Sequence, residues 1–192
     1  MRILVTGTTG GIGGAVKRLA IASGHEVAEV NRAEFADLDQ SGLVGPVDAI
    51  VFATGTCPVK PLTLLSDDAF AETVAVNCGL FVKLMRFVVA HKLYAAGGLK
   101  ALAVSSVSAT EGWAGGAAYC ASKGALSAVC RALDAELKAK GISVGAIEPR
   151  YVKTAMFDRC AGRMGVDPKL AQDPDDLARE ILRTLCAGCN LV

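Results

Sequence analysis

Three side chains in this chain have the types and spacing for acid–base chemistry. Ser106 stands 13 positions before Tyr119, and Tyr119 stands four before Lys123. Positions four apart on a helix share a face, so the Lys123 ammonium can sit beside the Tyr119 phenol. A free tyrosine, with a pKa of about 10, is a poor acid or base at neutral pH. A neighbouring cation favours the phenolate and lowers that value, toward the range useful for proton transfer. Tyr-x-x-x-Lys alone is a weak pattern, and its weight depends on what surrounds it.

The N-terminal segment supplies those surroundings. Arg2-Ile3-Leu4-Val5-Thr6 is an apolar, β-branched run that reads as a buried strand. It leads into Gly7-Thr8-Thr9-Gly10-Gly11-Ile12-Gly13-Gly14 and then into the helix-like Ala15 to Ala20. Strand, glycine-rich turn and helix start make a corner where free N–H groups and the helix dipole bind a pyrophosphate. The spacing is Gly-x-x-x-Gly-x-Gly rather than the standard Gly-x-Gly-x-x-Gly.

The elements that must position these groups alternate along the chain. Strand-like runs recur at Ile3–Thr6, Glu26–Val30, Ala49–Ala53, Ala101–Ser105 and Ser143–Ile147, with helical patterns between most of them. This predicts an α/β fold: one doubly wound parallel sheet in a three-layer αβα domain spanning residues 1–192. A helix is predicted from about Asp67 to His91, capped by Ser66, with Phe70, Val74, Asn77, Phe81, Leu84 and Val88 on one stripe. Asn77 in that stripe reads either as a core amide satisfied by nearby backbone or as a functional group. A second long helix is predicted from about Ala118 to Lys140, stopped by Gly141. Gly97-Gly98 marks a turn before the fourth strand. Residues 31–45 leave room for a turn or one short helical piece. Phe157 to Pro174 reads as a loop, Asp175 to Leu185 as a helix, and Leu191-Val192 leaves little space for a final strand.

Composition narrows the function classes. The 192 residues suit one domain, and 52% hydrophobic residues give ample material for one core. A net charge of +1 gives no electrostatic case for nucleic acid or an anionic membrane. No uninterrupted apolar run reaches the roughly 18 residues that a bilayer span needs. The first strand begins at Arg2, so no signal peptide is expected, and the expected location is cytoplasmic. Seven cysteines spread along the chain read as free thiols. Cys186-Ala-Gly-Cys189 has no second pair, and no metal is expected.

In register, these pieces resemble the short-chain dehydrogenase/reductase family, in its ordinary single-domain form, over nearly the whole chain. Thr6 to Gly13 matches its cofactor loop, Asp37-Leu38 its adenine-contacting pair, and Val76-Asn77-Cys78-Gly79 the helix with its catalytic Asn. Ser106, Tyr119 and Lys123 take its Ser, Tyr and Lys positions, and Pro149 to Met156 resembles the segment beside the nicotinamide. The resemblance implies an NAD(P)(H)-dependent oxidoreductase moving hydride between nicotinamide and a carbonyl or secondary alcohol. Tyr119 would be the acid or base and Ser106 would polarise the carbonyl. Lys123 would lower the Tyr119 pKa and bind the ribose, and Asn77 would hold a water in a proton relay. Gly7, Thr9, Gly11, Ile12, Gly13, Asn31, Arg32, Asp37, Leu38, Ala53, Thr54, Gly55, Tyr119, Lys123, Pro149, Val152 and Thr154 would bind the cofactor.

Several alternatives stay open. Gly7, Gly10 and Gly13 also fit the family's epimerase and dehydratase branch, which uses longer chains. A non-catalytic dinucleotide-binding regulator is the rival from another class. NADP(H) is the expected cofactor, because neutral Asn31 and cationic Arg32 end the second strand; NAD(H) follows if Glu29 reaches the ribose instead. Phe52-Ala53-Thr54-Gly55 departs from the family's Asn-Asn-Ala-Gly and leaves its bracing in question. Arg150, where the family has Gly, points to solvent or lies at the pocket mouth and favours an acidic substrate. The partners expected are a small carbonyl or alcohol substrate and a second copy, as a homodimer or homotetramer pairing the Asn77 and Tyr119 helices.

Overall fold

In the computed structural model, which describes residues 1–43 and 45–187, the glycine loop and the Tyr119 helix meet at the carboxyl ends of the strands of a parallel sheet. Its strands are β1 (Arg2–Thr6), β2 (Glu26–Val30), β3 (Ala49–Phe52), β4 (Leu99–Val104) and β5 (Ile142–Ile147), in the order β2-β1-β3-β4-β5. Every adjacent pair is parallel. The order reverses between β1 and β3, and open α/β sheets bind ligands in the crevice beyond the strand ends at such a point.

Strand alternation sends side chains to two separate cores. Leu4, Ile50, Phe52, Ala101, Ala103 and Val144 face one side. There they meet Phe81, Leu84, Met85 and Val88 of the Asn77 rod and Leu126 and Cys130 of α4 (Ala117–Leu137). Ile3, Val5, Val51, Leu102 and Val104 face the other, against α1 (Gly11–Ala22) and α6 (Pro174–Cys186). Burial on both faces explains why interior strands such as β1 and β3 read as continuous apolar runs, while the edge strand β2 carries Glu26 and Glu29.

The Asn77 rod consists of α2 (Asp67–Val74), a π turn (Ala75–Gly79) and α3 (Leu80–Ala90). Ser66 caps it as expected, accepting from the Ala69 N–H. With its 24 residues the rod has the length and composition to cross a membrane, but its apolar stripe packs on the sheet. Phe70 and Val74 depart from that stripe: Phe70 is 41% exposed and Val74 half-buried, and neither joins the core. The segment after β2 holds one short 3-10 piece, Arg32–Ala36, within the space that the sequence leaves.

The tail corrects one expectation. Residues 155–164 form an amphipathic helix, α5 (Ala155–Met164), instead of a loop. Thr154 caps it by accepting from the Phe157 N–H, and Gly165 ends it at φ +65°. Gly162 faces open space and costs the helix little packing, so a glycine that read as a breaker is tolerated. Helix α6 stands close to its predicted place. Cys189 of the CxxC pair and the expected end at Leu191-Val192 lie outside the described residues.

Candidate active site

The site begins where β1 and β3 end. The Thr6 hydroxyl accepts from the Ala53 and Thr54 N–H groups at 3.2 and 3.3 Å and lies 2.9 Å from the Thr54 hydroxyl. Gly7 then turns at φ +69°, where a Cβ would come 2.7 Å from the Ala53 carbonyl. A Cβ on Gly13 would sit 2.3 Å from the Gly7 carbonyl, so the first turn of α1 presses directly on the loop. No side chain caps α1 and no acid stands in its first turn, while Thr9 and Gly10 are exposed. The chemistry of this corner fits a pyrophosphate: N–H donors and a helix dipole, with the nearby Glu29 carboxylate bonded to Thr8 and paired with Lys17.

Below the loop, Lys123 and Tyr119 project from α4, and Ser106 from the end of β4. Ser106 starts a 3-10 turn, its hydroxyl accepting from the Ser108 N–H at 3.1 Å, and reaches the Tyr119 phenol. Lys123 is buried, donates to the Val104 carbonyl at 2.8 Å, and lies 5.6 Å from the Tyr119 ring centre. Burial pulls the Lys123 ammonium down to about 8, against the opposing effects of the Cys57, Cys130 and Cys78 thiols.

Burial pushes the Tyr119 phenol above its ordinary value, and the Cys57 thiol adds to this; the Ser106 hydrogen bond acts the other way. That corrects the expected lowering by Lys123. The ammonium lies over the ring and is held by a main-chain carbonyl, and loss of solvation outweighs it.

Asn77 is wholly buried and fully bonded. Its Oδ1 accepts from the Thr56 N–H at 2.7 Å, and its Nδ2 donates to the Thr56 carbonyl and the Ser122 hydroxyl, each at 2.8 Å. Ser122 donates to the Tyr119 carbonyl at 2.7 Å, so Asn77 ties the segment after β3 to the turn of α4 that carries Tyr119. Gly55 faces both Asn77 and Lys123, with room for a Cβ only 3.3 Å from Oδ1. The amides missing around Phe52 are replaced by hydroxyls. Phe52 joins Phe35 and Phe81 in the core, while Ser105 bonds the Lys123 carbonyl and the Ser127 hydroxyl, and Ser127 donates to Glu148.

These groups surround a pocket with about 120 Å³ of free volume. Ile12, Ala53, Gly55, Ser106, Tyr119, Lys123, Pro149, Val152 and Thr154 line it, all of them predicted site residues. Gly7, Gly11, Gly13, Thr54 and Asn77 stand immediately behind that lining.

Asn31, Arg32, Asp37 and Leu38 do not line the pocket. Asn31 follows the last residue of β2 and caps the 3-10 piece. Arg32 pairs with Glu72 at 2.9 Å on the surface. Leu38 is buried in the core beside Phe35, and exposed Asp37 accepts from the Asp39 N–H. Glu29 lies inside β2 opposite Val5; Lys17 and the Thr8 hydroxyl hold its carboxylate below the usual range.

Arg150 is both exposed and at the pocket, held bidentately by Glu111 at 2.6 and 3.0 Å. The sequence reasoning missed Glu111, Cys57, Cys160 and the Ser122 link. Each depends on a partner far away in the chain, so nothing in the local sequence marked them.

The family model for "short chain dehydrogenase" matches residues 38–162. The chain belongs to the short-chain dehydrogenase family. Among its family relatives, L-xylulose reductase from Bos taurus is 29% identical over 180 residues, covering 81% of this chain and 73% of the relative. The 3-oxoacyl-[acyl-carrier-protein] reductase FabG of Rickettsia felis is 26% identical, covering 81% and 74%. Two solved structures share the fold. The protein lin1944 from Listeria innocua matches with a TM-score of 0.82 at 23% identity, over 99% of this chain and 96% of that one. A 3-ketoacyl-(acyl-carrier-protein) reductase from Brucella melitensis, complexed with NADH, matches with 0.80 at 23% identity, over 97% and 91%.

Proposed function

We propose that this chain is a single dinucleotide-binding and catalytic domain that reduces a neutral carbonyl compound, preferring NADPH, and runs the reverse reaction on a secondary alcohol. The observation that carries the reading is the convergence of Ser106, Tyr119 and Lys123 on one pocket floor beneath the glycine loop. Gly7–Gly13, with Val152 and Thr154, would hold a nicotinamide dinucleotide, which would supply the hydride.

The residues do the rest. Ser106 holds the substrate oxygen, and Tyr119 gives its proton to that oxygen as negative charge develops there. Burial keeps the Tyr119 phenol protonated at neutral pH, so the proton is present, and the charge developing on the substrate oxygen must draw it off. Lys123, cationic below about pH 8, stabilises the phenolate left behind. Asn77 fixes the turn that aims Tyr119 through Ser122, in addition to any water that it orders.

Cofactor choice rests on the end of β2. Glu29 is held by Lys17 and Thr8, which favours Asn31 and Arg32 as the groups that meet the adenosine ribose. A neutral amide and a guanidinium there suit a 2′-phosphate. For the substrate, Trp113, Tyr151, Met156, Phe157 and Met164 supply apolar walls, and the Arg150 charge is met by Glu111. Phe70 and Val82, exposed on the Asn77 rod, support pairing of that rod in a homodimer, which light scattering would test.

The deciding assay follows NADPH consumption against ketones, aldehydes and quinones, with Tyr119→Phe in parallel. Turnover that the variant loses supports the reading. Cofactor binding without turnover across the panel overturns it in favour of a binding-only role.

A further inference from the structure

Cys57 lies on the segment after β3, and Cys160 lies on α5, 103 positions later. Both line the pocket. The Cys160 thiol donates to the Cys57 carbonyl at 3.6 Å, and the two thiols are within hydrogen-bonding reach of each other. Further along, Arg163 donates to the Val59 carbonyl at 2.9 Å, so α5 is tied to this segment at two points. The remaining described cysteines are placed differently. Cys78 and Cys130 belong to the core between sheet and helices, Cys120 donates to the Glu111 carbonyl, and Cys186 is exposed at the end of α6.

We propose that Cys57 and Cys160 are a reversible modification site: a dithiol that a small-molecule disulfide oxidises to a cross-link pinning α5 to the pocket wall. The chemistry balances as two exchanges. The Cys57 thiol is the more accessible of the pair. It loses its proton and attacks the small disulfide, forming a mixed disulfide and releasing one small thiol. Cys160 then attacks the Cys57 sulfur and releases the second. Two protein thiols are oxidised, and one small disulfide is reduced to two thiols.

Geometry favours the second step, because the Cys160 thiol already bonds the main chain of Cys57. The first step is slow at neutral pH. Burial pushes the Cys57 thiol up, with Cys160 adding to it, so the attacking thiolate is scarce and accumulates only as pH rises. The cross-link therefore responds to sustained oxidation and not to brief exposure. Its consequence follows from position. Helix α5 carries Met156, Phe157 and Met164 into the pocket, and the cross-link fixes that wall in one position. That consequence rests on the function proposed above; the cross-link itself does not.

The test incubates the full chain with oxidised glutathione at mildly alkaline pH and reads intact mass and linked peptides. The expected product has lost two hydrogens, carries no glutathione, and joins the peptides of Cys57 and Cys160. Carbonyl reduction falls in proportion to the cross-linked fraction and returns with dithiothreitol. Cys160→Ser should stop at the glutathione adduct on Cys57, and Cys120→Ser should cross-link like the parent. A stable glutathione adduct on the parent protein, a Cys57–Cys120 linkage, or six unmodified described thiols would each overturn the proposal. Because mass is read independently of turnover, an inactive enzyme that still cross-links counts against the function alone.

Discussion

Gly11 and Thr154 touch across the groove between the first motif of the chain and the last: a Cβ on Gly11 would come 2.5 Å from Thr154 Cγ2 and 3.0 Å from its Cβ. Thr154 cannot swing away freely. It is β-branched, and its hydroxyl caps α5. Glycine at this position lets the cofactor loop and the α5 cap share one wall.

The contact predicts a specific rescue. Gly11→Ala should weaken dinucleotide binding, measured by fluorescence titration, because the loop must shift to relieve the overlap. Thr154→Ser removes Cγ2 but keeps the capping hydroxyl, so the double variant should recover most of the affinity. Gly13→Ala meets the Gly7 carbonyl instead, which no partner substitution relieves. It should destabilise the fold by about 1–3 kcal/mol, the usual range for overpacking. Failure of Thr154→Ser to improve Gly11→Ala would show that the contact does not limit binding.

Lys123 gives a pH dependence with a definite sign. With its pKa near 8, the ammonium is lost as pH rises through that value. Reduction should therefore decline above about pH 8 even with saturating substrate, and Lys123→Met should be slow at every pH. Stability runs the other way. Between about 8 and the ordinary 10.5 the unfolded chain binds more protons than the folded one. The burial penalty is fully present below this window and is relieved through it. The stability advantage of Lys123→Met over the parent should shrink as melts are repeated across that window. A gap that widens with pH would contradict the assignment.

Most of this frame is legible in the sequence because it is local. All five strands are legible to within two residues: β1 and β3, buried on both faces, hold unbroken apolar runs, and the edge strand β2 shows through its valines despite Glu26 and Glu29. The glycine loop and the Tyr119–Lys123 spacing are likewise short-range patterns. The misses are the opposite kind. Helix α5 was obscured by two glycines, one facing open space and one ending the helix at positive φ. The upward shift of Tyr119 depends on burial, which spacing does not report. Cys57 and Cys160 are separated by 103 positions, and Arg150 and Glu111 by 39, so only the fold brings them together.

The end of β2 predicts cofactor preference. Arg32→Ala should raise the KM for NADPH about tenfold, the scale of one charge-assisted hydrogen bond, and leave that for NADH nearly unchanged. Asn31→Asp should place a carboxylate at the same edge and move preference toward NADH. Glu72→Gln frees Arg32 from its surface partner and should tighten NADPH. If NADH binds the parent as tightly as NADPH, Glu29 becomes the group to test. Glu29→Gln would then weaken NADH selectively.

Arg150 and Glu111 form a bidentate pair between the segment after β5 and the loop before α4, with Arg150 on the pocket lining. Paired, they present little net charge to an entering substrate. Both are more than half exposed, so the pair adds little to stability, and Tm should barely move in either variant. Selectivity should move in opposite directions. Glu111→Gln leaves a free guanidinium and should raise kcat/KM for a keto acid relative to the matching neutral ketone by about two- to fivefold, the scale of an exposed ion pair. Arg150→Gln leaves a free carboxylate and should lower the same ratio by a similar factor. Raising the salt concentration should compress both changes, because exposed charges are screened over roughly 10 Å. Equal ratios in the parent and both variants would mean that substrates pass the pair without sensing its charge, and the apolar walls alone would then set selectivity.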